Sequence, residues 1–253
     1  MVEMPNIEEV KRNYKNYENY KYKKAPILRE KFSKMSFFHA LDRTDNKKSI
    51  KRLQEILSSG TLKSLKVLSA LNECYEAALG GTLDKDIKIG RDNYIYFLLG
   101  RAYKHNSNFS IVFELPHEQL RKLKYDDVFF CNDYCLYTED EYEKYRKTIL
   151  TLEDGVNAIA DCVSDYYKED HKDYIRKKNI LEFFDKKMFK HEFAVKESLS
   201  ICDEAVIVHL VGWTDTEKQG LEKLIATEKY KQTFKWYSGQ VEFENYLINK
   251  SSL

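Results

Sequence analysis

The sequence predicts an α+β fold in which a small β-sheet is flanked by helices and interrupted by a helical insertion. Short apolar runs of strand length alternate with stretches whose apolar residues recur at helical spacing. The long stretch 138–184 has helical periodicity and separates two groups of candidate strands. Only three prolines and nine glycines occur in 253 residues, which argues against a sandwich of many short strands.

The strand candidates follow from apolar runs of four to eight residues bounded by polar or turn-forming residues. They lie at 36–41, 86–89, 93–99, 109–115, 128–131, 191–196 and 204–211. The last of these is apolar enough to be a central strand of the sheet. Pro116 suits the first turn of a short helix after the strand at 109–115.

Helices are predicted from periodicity together with their start and stop signals. Ile50, Leu53, Ile56 and Leu57 mark one amphipathic helix, and Gly60 closes it as a left-handed cap. A second helix begins near Leu65 and ends at the Gly-Gly pair 80–81. Capping-box spacing, in which a Thr precedes a Glu by three residues, occurs at 138–141 and again at 214–217, before a helix that runs through 226.

Composition limits the class of protein. An apolar fraction of 43% predicts a globular chain, and 33% charged residues cancel to a net charge of +1, so global charge does not predict nucleic-acid binding. The odd number of cysteines does not suggest a disulfide framework, which favours a reducing compartment; they are Cys74, Cys131, Cys135, Cys162 and Cys202. The first residues lack a signal-peptide core, and no apolar run approaches the roughly 20 residues of a membrane span. We therefore expect a cytoplasmic protein, in its own cell or after delivery into a host or target cell, with no membrane partner.

The first 35 residues are predicted to form a basic helical segment ahead of the main domain at 36–253. Between Lys11 and Lys34, nine Lys/Arg stand against two glutamates, with tyrosines interleaved. A solvated helix face explains this pattern, and so does contact with nucleic acid, in which basic side chains meet phosphates and tyrosines stack on bases. The sequence leaves both interpretations open.

His39, Tyr96 and Glu192 are the candidate catalytic residues, because each lies in a run that reads as a rigid strand. A histidine, a tyrosine and a glutamate that converge in a cleft suit the breaking of a sugar–nitrogen bond, in which positive charge develops on the sugar. Each also has an ordinary structural interpretation: a core histidine, a packing aromatic and a paired carboxylate. Tyr94 competes with Tyr96 on the same strand face, and Glu197 competes with Glu192.

Three local patterns resemble the ADP-ribosyltransferase superfamily of the H-Y-E type, in the branch that holds the DarT-type toxins and the diphtheria-toxin and PARP-like proteins. The first is His39 followed by a helix that ends in Gly60-Thr61-Leu62, and the second is Ile95-Tyr96-Phe97. The third runs from Lys190 to Val195 and is followed by a turn and a buried strand. The resemblance covers 36–62, 91–115 and 188–211. It departs from the family at Asn93-Tyr94, where a glycine is usual, and in the long stretch between Tyr96 and Glu192.

The resemblance implies a split β-sheet that binds NAD as a substrate in the cleft between its halves. In that family pattern His39 hydrogen-bonds a ribose hydroxyl, Tyr96 (or Tyr94) stacks on nicotinamide, and Glu192 stabilises the oxocarbenium character of the ribose. Arg101, just past the tyrosine strand, would pair with the pyrophosphate. The implied activity is that of an NAD-dependent mono-ADP-ribosyltransferase, a glycosyltransferase that serves as a toxin, effector or defence factor. Its acceptor is a protein or a nucleic acid.

Other classes of site find little support. Cys131-x-x-x-Cys135 lacks a second Cys/His pair at metal spacing, so no metal is expected, and neither a G-x-G-x-x-G nor a Walker-type loop is present. Two alternatives to the transferase remain open. An RNA phosphotransferase that consumes NAD would show several arginines in place of the tyrosine and glutamate. A catalytically inactive α+β protein would bind a partner and leave NAD intact.

Overall fold

The fold is known from a computed structural model of the chain. It describes residues 29–30, 32–42, 46–71, 87, 91–100, 109–123, 128–132, 152–153, 155–156, 191–227, 230 and 232–251. Most of the predicted insertion at 138–184 and of the basic segment at 1–35 therefore lies outside the described residues. The described residues within the insertion, 152–153 and 155–156, are helical.

A seven-stranded sheet forms the centre of the described fold. The described strands are β1 (Phe37–Asp42), β2 (Thr61–Lys63), β3 (Tyr94–Leu99), β4 (Phe109–Leu115), β5 (Val128–Asn132), β6 (His191–Lys196), β7 (Ser198–Ser200), β8 (Ile207–Val211) and β9 (Thr233–Tyr237). Of these, β2 and β7 form a separate two-stranded ribbon, and the other seven form the central sheet. The order across the sheet is β5-β6-β3-β1-β4-β8-β9. All neighbours are antiparallel except β8 and β9, which run parallel.

Helices connect and cover the strands. They are α1 (Asn46–Ser59), α2 (Leu65–Ala70), α3 (His117–Arg121), α4 (Asp215–Thr227) and α5 (Gln240–Ser251), and a 3-10 turn (Arg91–Asn93) leads into β3. The predicted capping box begins α4: the Thr214 main-chain N–H donates to the Glu217 carboxylate at 2.9 Å, and the Glu217 N–H donates to Thr214 Oγ1 at 3.4 Å. In the part of the chain that the structure describes, no helix combines the length and apolarity needed to cross a membrane.

The two faces of the sheet bury two cores of different size. The larger core combines alternate strand residues such as Phe37, Phe97 and Phe113 with side chains from α1, α3 and α4. The smaller core lies under α5, where Phe243 and Leu247 pack on Phe38, Val112 and Val211. The apolar positions of α5 recur three and four residues apart, so one stripe of the helix faces the sheet.

The predicted α+β class is confirmed, and the differences lie mainly at element ends. The strand expected at 204–211 begins only at Ile207, because Asp203 accepts hydrogen bonds from the main-chain N–H groups of Ala205 and Val206 and forms a turn. The strand expected at 86–89 lies outside the described residues except for Ile87, which is helical. The helix predicted from Leu65 to the glycine pair at 80–81 ends at Ala70 in the described range. The strand β9 and the helix α5 were not predicted from the sequence.

Gly60 ends α1 in the left-handed conformation that its position predicts, with φ +61°. A Cβ at this residue would lie 2.1 Å from the Sγ atom of Cys202, a free cysteine. We expect Gly60→Ala to lower the free energy of unfolding by about 1–2 kcal/mol from backbone strain, before any cost of displacing Cys202. Urea unfolding measures this change.

Gly220 offers a matched control for that substitution. It lies inside α4, and a Cβ there would meet nothing within 4 Å. Gly220→Ala should therefore raise stability by about 0.5–1 kcal/mol, because glycine is unfavourable within a helix. If Gly60→Ala and Gly220→Ala changed the free energy of unfolding in the same direction and by similar amounts, the assignment of Gly60 as a left-handed cap would be contradicted.

Candidate active site at the split in the sheet

The sheet is split between β1 and β3. These two strands pair only through Phe37 with Leu99 and Phe38 with Leu98. By contrast, β1 pairs with β4 along its length from Phe37 to Asp42, and β3 pairs with β6 from Tyr94 to Phe97. The strands are thus held together at one end, and each belongs to a different half of the sheet beyond it.

His39 lies where the pairing between β1 and β3 stops. Its Nδ1 atom is 2.8 Å from the main-chain oxygen of Tyr96. A carbonyl oxygen only accepts, so Nδ1 carries the proton and Nε2 keeps a lone pair. The centroid of the His39 ring lies 5.4 Å from that of Phe97, which fixes the ring from a second direction. Within the described residues, the hydrogen bonding of this side chain uses Nδ1 alone.

The electrostatic environment keeps His39 neutral. Burial lowers its pKa to about 4, and the positive charge of Arg52 acts in the same direction, whereas the hydrogen bond to Tyr96 opposes both. At pH 7 the ring is therefore uncharged, and Nε2 is a hydrogen-bond acceptor. Such an atom suits a hydroxyl donor, for instance on a sugar, better than an anion.

Because burial lowers the pKa of His39, we expect the free energy of unfolding to fall in mild acid. Its pKa of about 4 lies below the ordinary 6.5, so the unfolded chain takes up the proton first as pH falls. The free energy of unfolding should then decrease from about pH 6.5 towards pH 4. His39→Asn keeps an N–H donor for Tyr96 but cannot titrate, so urea midpoints measured from pH 7 to 5 should fall less steeply in the variant.

The other histidines do not obscure that comparison. Burial also lowers the pKa of His117 and of His209, and both residues are present in the two proteins compared. Equal slopes for the wild type and His39→Asn would show that His39 does not titrate as its burial requires.

Tyr96 and Tyr94 share one side of β3. Strand alternation places them opposite Ile95 and Phe97, which belong to the larger core. Tyr94 is buried, with 8% of its surface exposed, whereas Tyr96 is half-buried. His39 lies on the side of Phe97, so it meets Tyr96 through the main chain of that residue and not through the phenol ring. Strand alternation thus directs the His39 and Tyr96 side chains to opposite faces of the sheet at this point. Only a ligand that enters between β1 and β3 could contact both rings, and their joint use stays a prediction.

Glu192 lies on β6, the strand beside β3, with its Cα opposite that of Cys131. Its neighbour two positions along, Ala194, pairs with Tyr96. The main chain thus places Glu192 on the half of the sheet that carries Tyr96, although its side chain lies outside the described residues. Arg101, expected to pair with a pyrophosphate, also lies outside them.

Glu197, the competitor of Glu192, occupies the tight turn between β6 and β7. Its φ of +57° is a left-handed conformation that non-glycine residues adopt rarely, and its side chain is exposed. Two hydrogen bonds hold the turn: the Glu197 N–H donates to the Asn93 oxygen at 2.8 Å, and the Ser64 N–H donates to the Glu197 oxygen at 2.7 Å. The solvated-turn interpretation of Glu197 agrees with this geometry.

A buried polar cluster that was not predicted from the sequence lies on the face of the sheet under α5. Its centre is Glu114, which has 1% of its surface exposed and lies opposite Phe38 in the register of β4 with β1. Four donors converge on this carboxylate: Ser36 Oγ, His209 Nε2 and Tyr246 Oη at 2.8 Å each, and Lys250 Nζ. The signal in the sequence was a lone carboxylate within an apolar strand, which is costly unless it is paired.

Charge within the cluster is set by these contacts. Burial would raise the pKa of Glu114, but the His209 hydrogen bond and the Lys250 charge outweigh it and hold the pKa at about 2. Burial lowers the pKa of His209 below its ordinary value. His209 Nδ1 lies 3.1 Å from the hydroxyl of Tyr237, so a neutral ring can accept there while Nε2–H donates to Glu114. Since donors satisfy the carboxylate on both oxygens, we assign the cluster a role in holding α5 to the sheet.

No protein-family model matches the chain, and no curated protein matches it significantly. Among the residues that the structure describes, no group of three or more His, Cys, Asp or Glu side chains is placed to hold a metal ion. The site must therefore be interpreted from its own residues.

Proposed function

We propose that the chain is an NAD-dependent mono-ADP-ribosyltransferase with an ADP-ribosyltransferase-like split sheet, and that NAD binds between β1 and β3. The observation that carries this proposal is the position of His39. It lies where the two strands part, is neutral at pH 7, and has the lone pair of Nε2 as an acceptor. The order of His39, Tyr96 and Glu192 on β1, β3 and β6 agrees with the motifs on which the resemblance rests.

In the proposed reaction, the bond between nicotinamide and its ribose breaks and an acceptor atom takes its place on the sugar. His39 Nε2 accepts a hydrogen bond from a ribose hydroxyl and orients the sugar. Tyr96, with Tyr94 as the competing residue, stacks on the nicotinamide ring and holds the leaving group in a reactive pose. Glu192 supplies a negative charge close to the developing oxocarbenium ion, which is the kind of electrostatic stabilisation that often dominates catalysis.

The proposed acceptor is a macromolecule, either a protein side chain or a nucleic-acid base. Lys190 lies two positions before Glu192, where arginine-modifying members carry a second acidic residue, so an arginine acceptor is disfavoured. The proposed setting is the cytoplasm, of its own cell or of a target cell, and the role is that of a toxin, effector or defence factor. The basic segment at 11–34 is a candidate contact for nucleic acid.

Nicotinamide release from NAD tests the proposal. The protein is incubated with labelled NAD alone, with DNA, with RNA and with lysate protein, and both free nicotinamide and transferred label are measured. We expect release in at least one mixture and label on the acceptor class that stimulates it. If NAD stays intact in every mixture, the chain is a partner-binding protein and the enzyme proposal fails.

His39→Asn and His39→Gln form a matched pair for the role of the histidine. The asparagine amide can replace Nδ1 as the donor to Tyr96 but leaves no acceptor at Nε2, whereas the glutamine amide reaches the Nε2 position. Release should fall in both variants, and more NAD binding should survive in His39→Gln. If both variants release nicotinamide at the wild-type rate, His39 has no part in the reaction.

A further inference from the structure

The two halves of the sheet meet at the closed end of the split, where few main-chain contacts hold them together. Among the described residues, β1 and β3 pair only through 37–38 with 98–99. One further main-chain bond continues this pairing, in which the Gly100 N–H donates to the Ser36 oxygen at 3.0 Å. These contacts form the join between the two half-sheets. Because the join lies at one end, a shift there changes the separation of β1 and β3 along the open part of the split.

Ser36 takes part in the join with its main chain and in the buried polar cluster with its side chain. Its hydroxyl donates to Oε1 of Glu114 at 2.8 Å, and the residue has 8% of its surface exposed. Glu114 lies on the side of the sheet that α5 covers, because it is opposite Phe38, a member of the smaller core. Ser36 therefore links the carboxylate held by α5 to the pairing between the half-sheets.

The helix α5 fixes the carboxylate to which Ser36 is bonded. Lys250 Nζ shares Oε1 of Glu114 with the Ser36 hydroxyl, while Tyr246 Oη and His209 Nε2 meet Oε2 at 2.8 Å each. A buried carboxylate moves out of such a set of donors only at a high cost in free energy. The position of the Ser36 side chain is thus set by α5 and β8.

His39 receives any shift of the join, since it follows Ser36 by three residues on the same extended stretch. Three residues of strand span about 10 Å. The His39 ring crosses the split through the contact of its Nδ1 atom with the Tyr96 oxygen, at 2.8 Å, where the pairing of β1 with β3 has ended. The length of this contact depends on how far the two half-sheets stand apart.

We propose that Ser36 is a positioning residue, which passes the hold of α5 on Glu114 to the join between β1 and β3 and so fixes the gap at His39. Ser36 touches no reacting group in this scheme and acts through the main chain of β1. This role in NAD cleavage deepens the proposed function and rests on it. The coupling of α5 to the join requires no activity, so it can be measured without NAD.

Hydrogen exchange of the Gly100 amide, followed by NMR, measures how often the join opens. Ser36→Ala should speed this exchange about tenfold or more, as expected for the loss of a hydrogen bond to a charged group. Tyr246→Phe removes one hydroxyl from the other end of the coupling and should speed the same exchange several-fold. If Gly100 exchanges at the wild-type rate in both variants, the proposal is wrong.

Two controls make the exchange result specific. Ser33→Ala removes a hydroxyl that donates to the Glu30 oxygen within the turn before β1, so Gly100 should exchange in this variant as in the wild type. The Glu197 amide donates to the Asn93 oxygen at the other end of β3 and should exchange at the wild-type rate in every variant. Equal acceleration at Gly100 and Glu197 would show general destabilisation and would overturn the proposal.

The double variant separates transmission through Ser36 from two independent structural effects. If the hold of α5 passes through this residue, Tyr246→Phe should change Gly100 exchange by less than about twofold once Ser36 is replaced by alanine. Accelerations that simply multiply in the double variant would contradict the proposal.

Kinetics with NAD distinguish failure of this role from failure of the enzyme proposal. In Ser36→Ala, kcat for nicotinamide release should fall several-fold while KM for NAD changes little, because misalignment across the split acts mainly in the transition state. A wild-type kcat in this variant would refute the positioning role and leave the transferase standing. If the wild type never cleaves NAD and Gly100 exchange responds as expected, the transferase fails and the coupling of α5 to the join stands.

Discussion

Replacing Glu192 by glutamine is expected to lower ADP-ribose transfer by about a hundredfold or more and to leave NAD affinity nearly unchanged. The substitution keeps the size of the side chain and its hydrogen-bonding reach but removes the charge that we propose offsets the oxocarbenium ion. An interaction made mainly in the transition state alters turnover more than ground-state binding. Single-turnover rates and equilibrium binding of NAD measure the two effects separately.

Two further variants make this result specific. Glu197→Gln removes the same charge from the exposed turn after β6 and should leave transfer unchanged. Tyr96→Ala should weaken NAD binding as well as turnover, because stacking acts on the bound ground state. If Glu197→Gln abolishes transfer and Glu192→Gln does not, the catalytic glutamate is Glu197, in the turn after β6, and not Glu192.

Replacing Glu114 by glutamine is expected to lower the free energy of unfolding by about 3 kcal/mol at pH 7, in the range found when one partner of a buried ion pair is removed. The carboxylate is almost fully buried and accepts from three donors on two elements, β8 and α5, as well as from Ser36. A neutral amide has a single acceptor oxygen and turns its own N–H groups towards the remaining donors. Urea unfolding measures the loss.

The pH dependence and a surface control make the Glu114 prediction sharper. Because its folded pKa of about 2 lies below the ordinary 4.5, the stabilisation by Glu114 is complete above pH 4.5 and is lost as pH falls towards 2. The gap between wild type and variant should narrow over that interval. Glu222→Gln disrupts only an exposed pair, 3.9 Å from Lys218, and should change stability by less than about 0.5 kcal/mol. A Glu114→Gln protein as stable as the wild type would refute the assigned role in holding α5.

Local signals in the sequence were sufficient for several elements of the fold. The apolar run around His39, the left-handed cap at Gly60 and the Thr214–Glu217 box each depend on a few neighbouring residues, and each is present in the fold. The strand β9 is half-buried and mixes polar with apolar residues, so its sequence is only a weak signal for a strand. It is defined by its parallel pairing with β8. The helix α5 depends on its apolar stripe meeting a face of the sheet that only the assembled strands create.

The candidate site could be predicted only in part, because many of its contacts join residues that are distant in sequence. The sequence indicated which residues carry chemistry, but the tautomer of His39 follows from the Tyr96 carbonyl, 57 positions away along the chain, and its neutral charge follows from burial in the assembled fold. The same holds for Glu114, whose partners lie up to 136 positions away. Such contacts arise from the register of strands that are distant in sequence, and no local pattern encodes that register.

A crystal structure of the Glu192→Gln protein with NAD tests the central claim most directly, since this variant should bind the dinucleotide without consuming it. We expect the nicotinamide ribose to lie between β1 and β3, with one hydroxyl about 2.6–3.2 Å from Nε2 of His39. Bound NAD that touches neither β1 nor β3, or a protein that takes up no NAD at millimolar concentration, would contradict this claim.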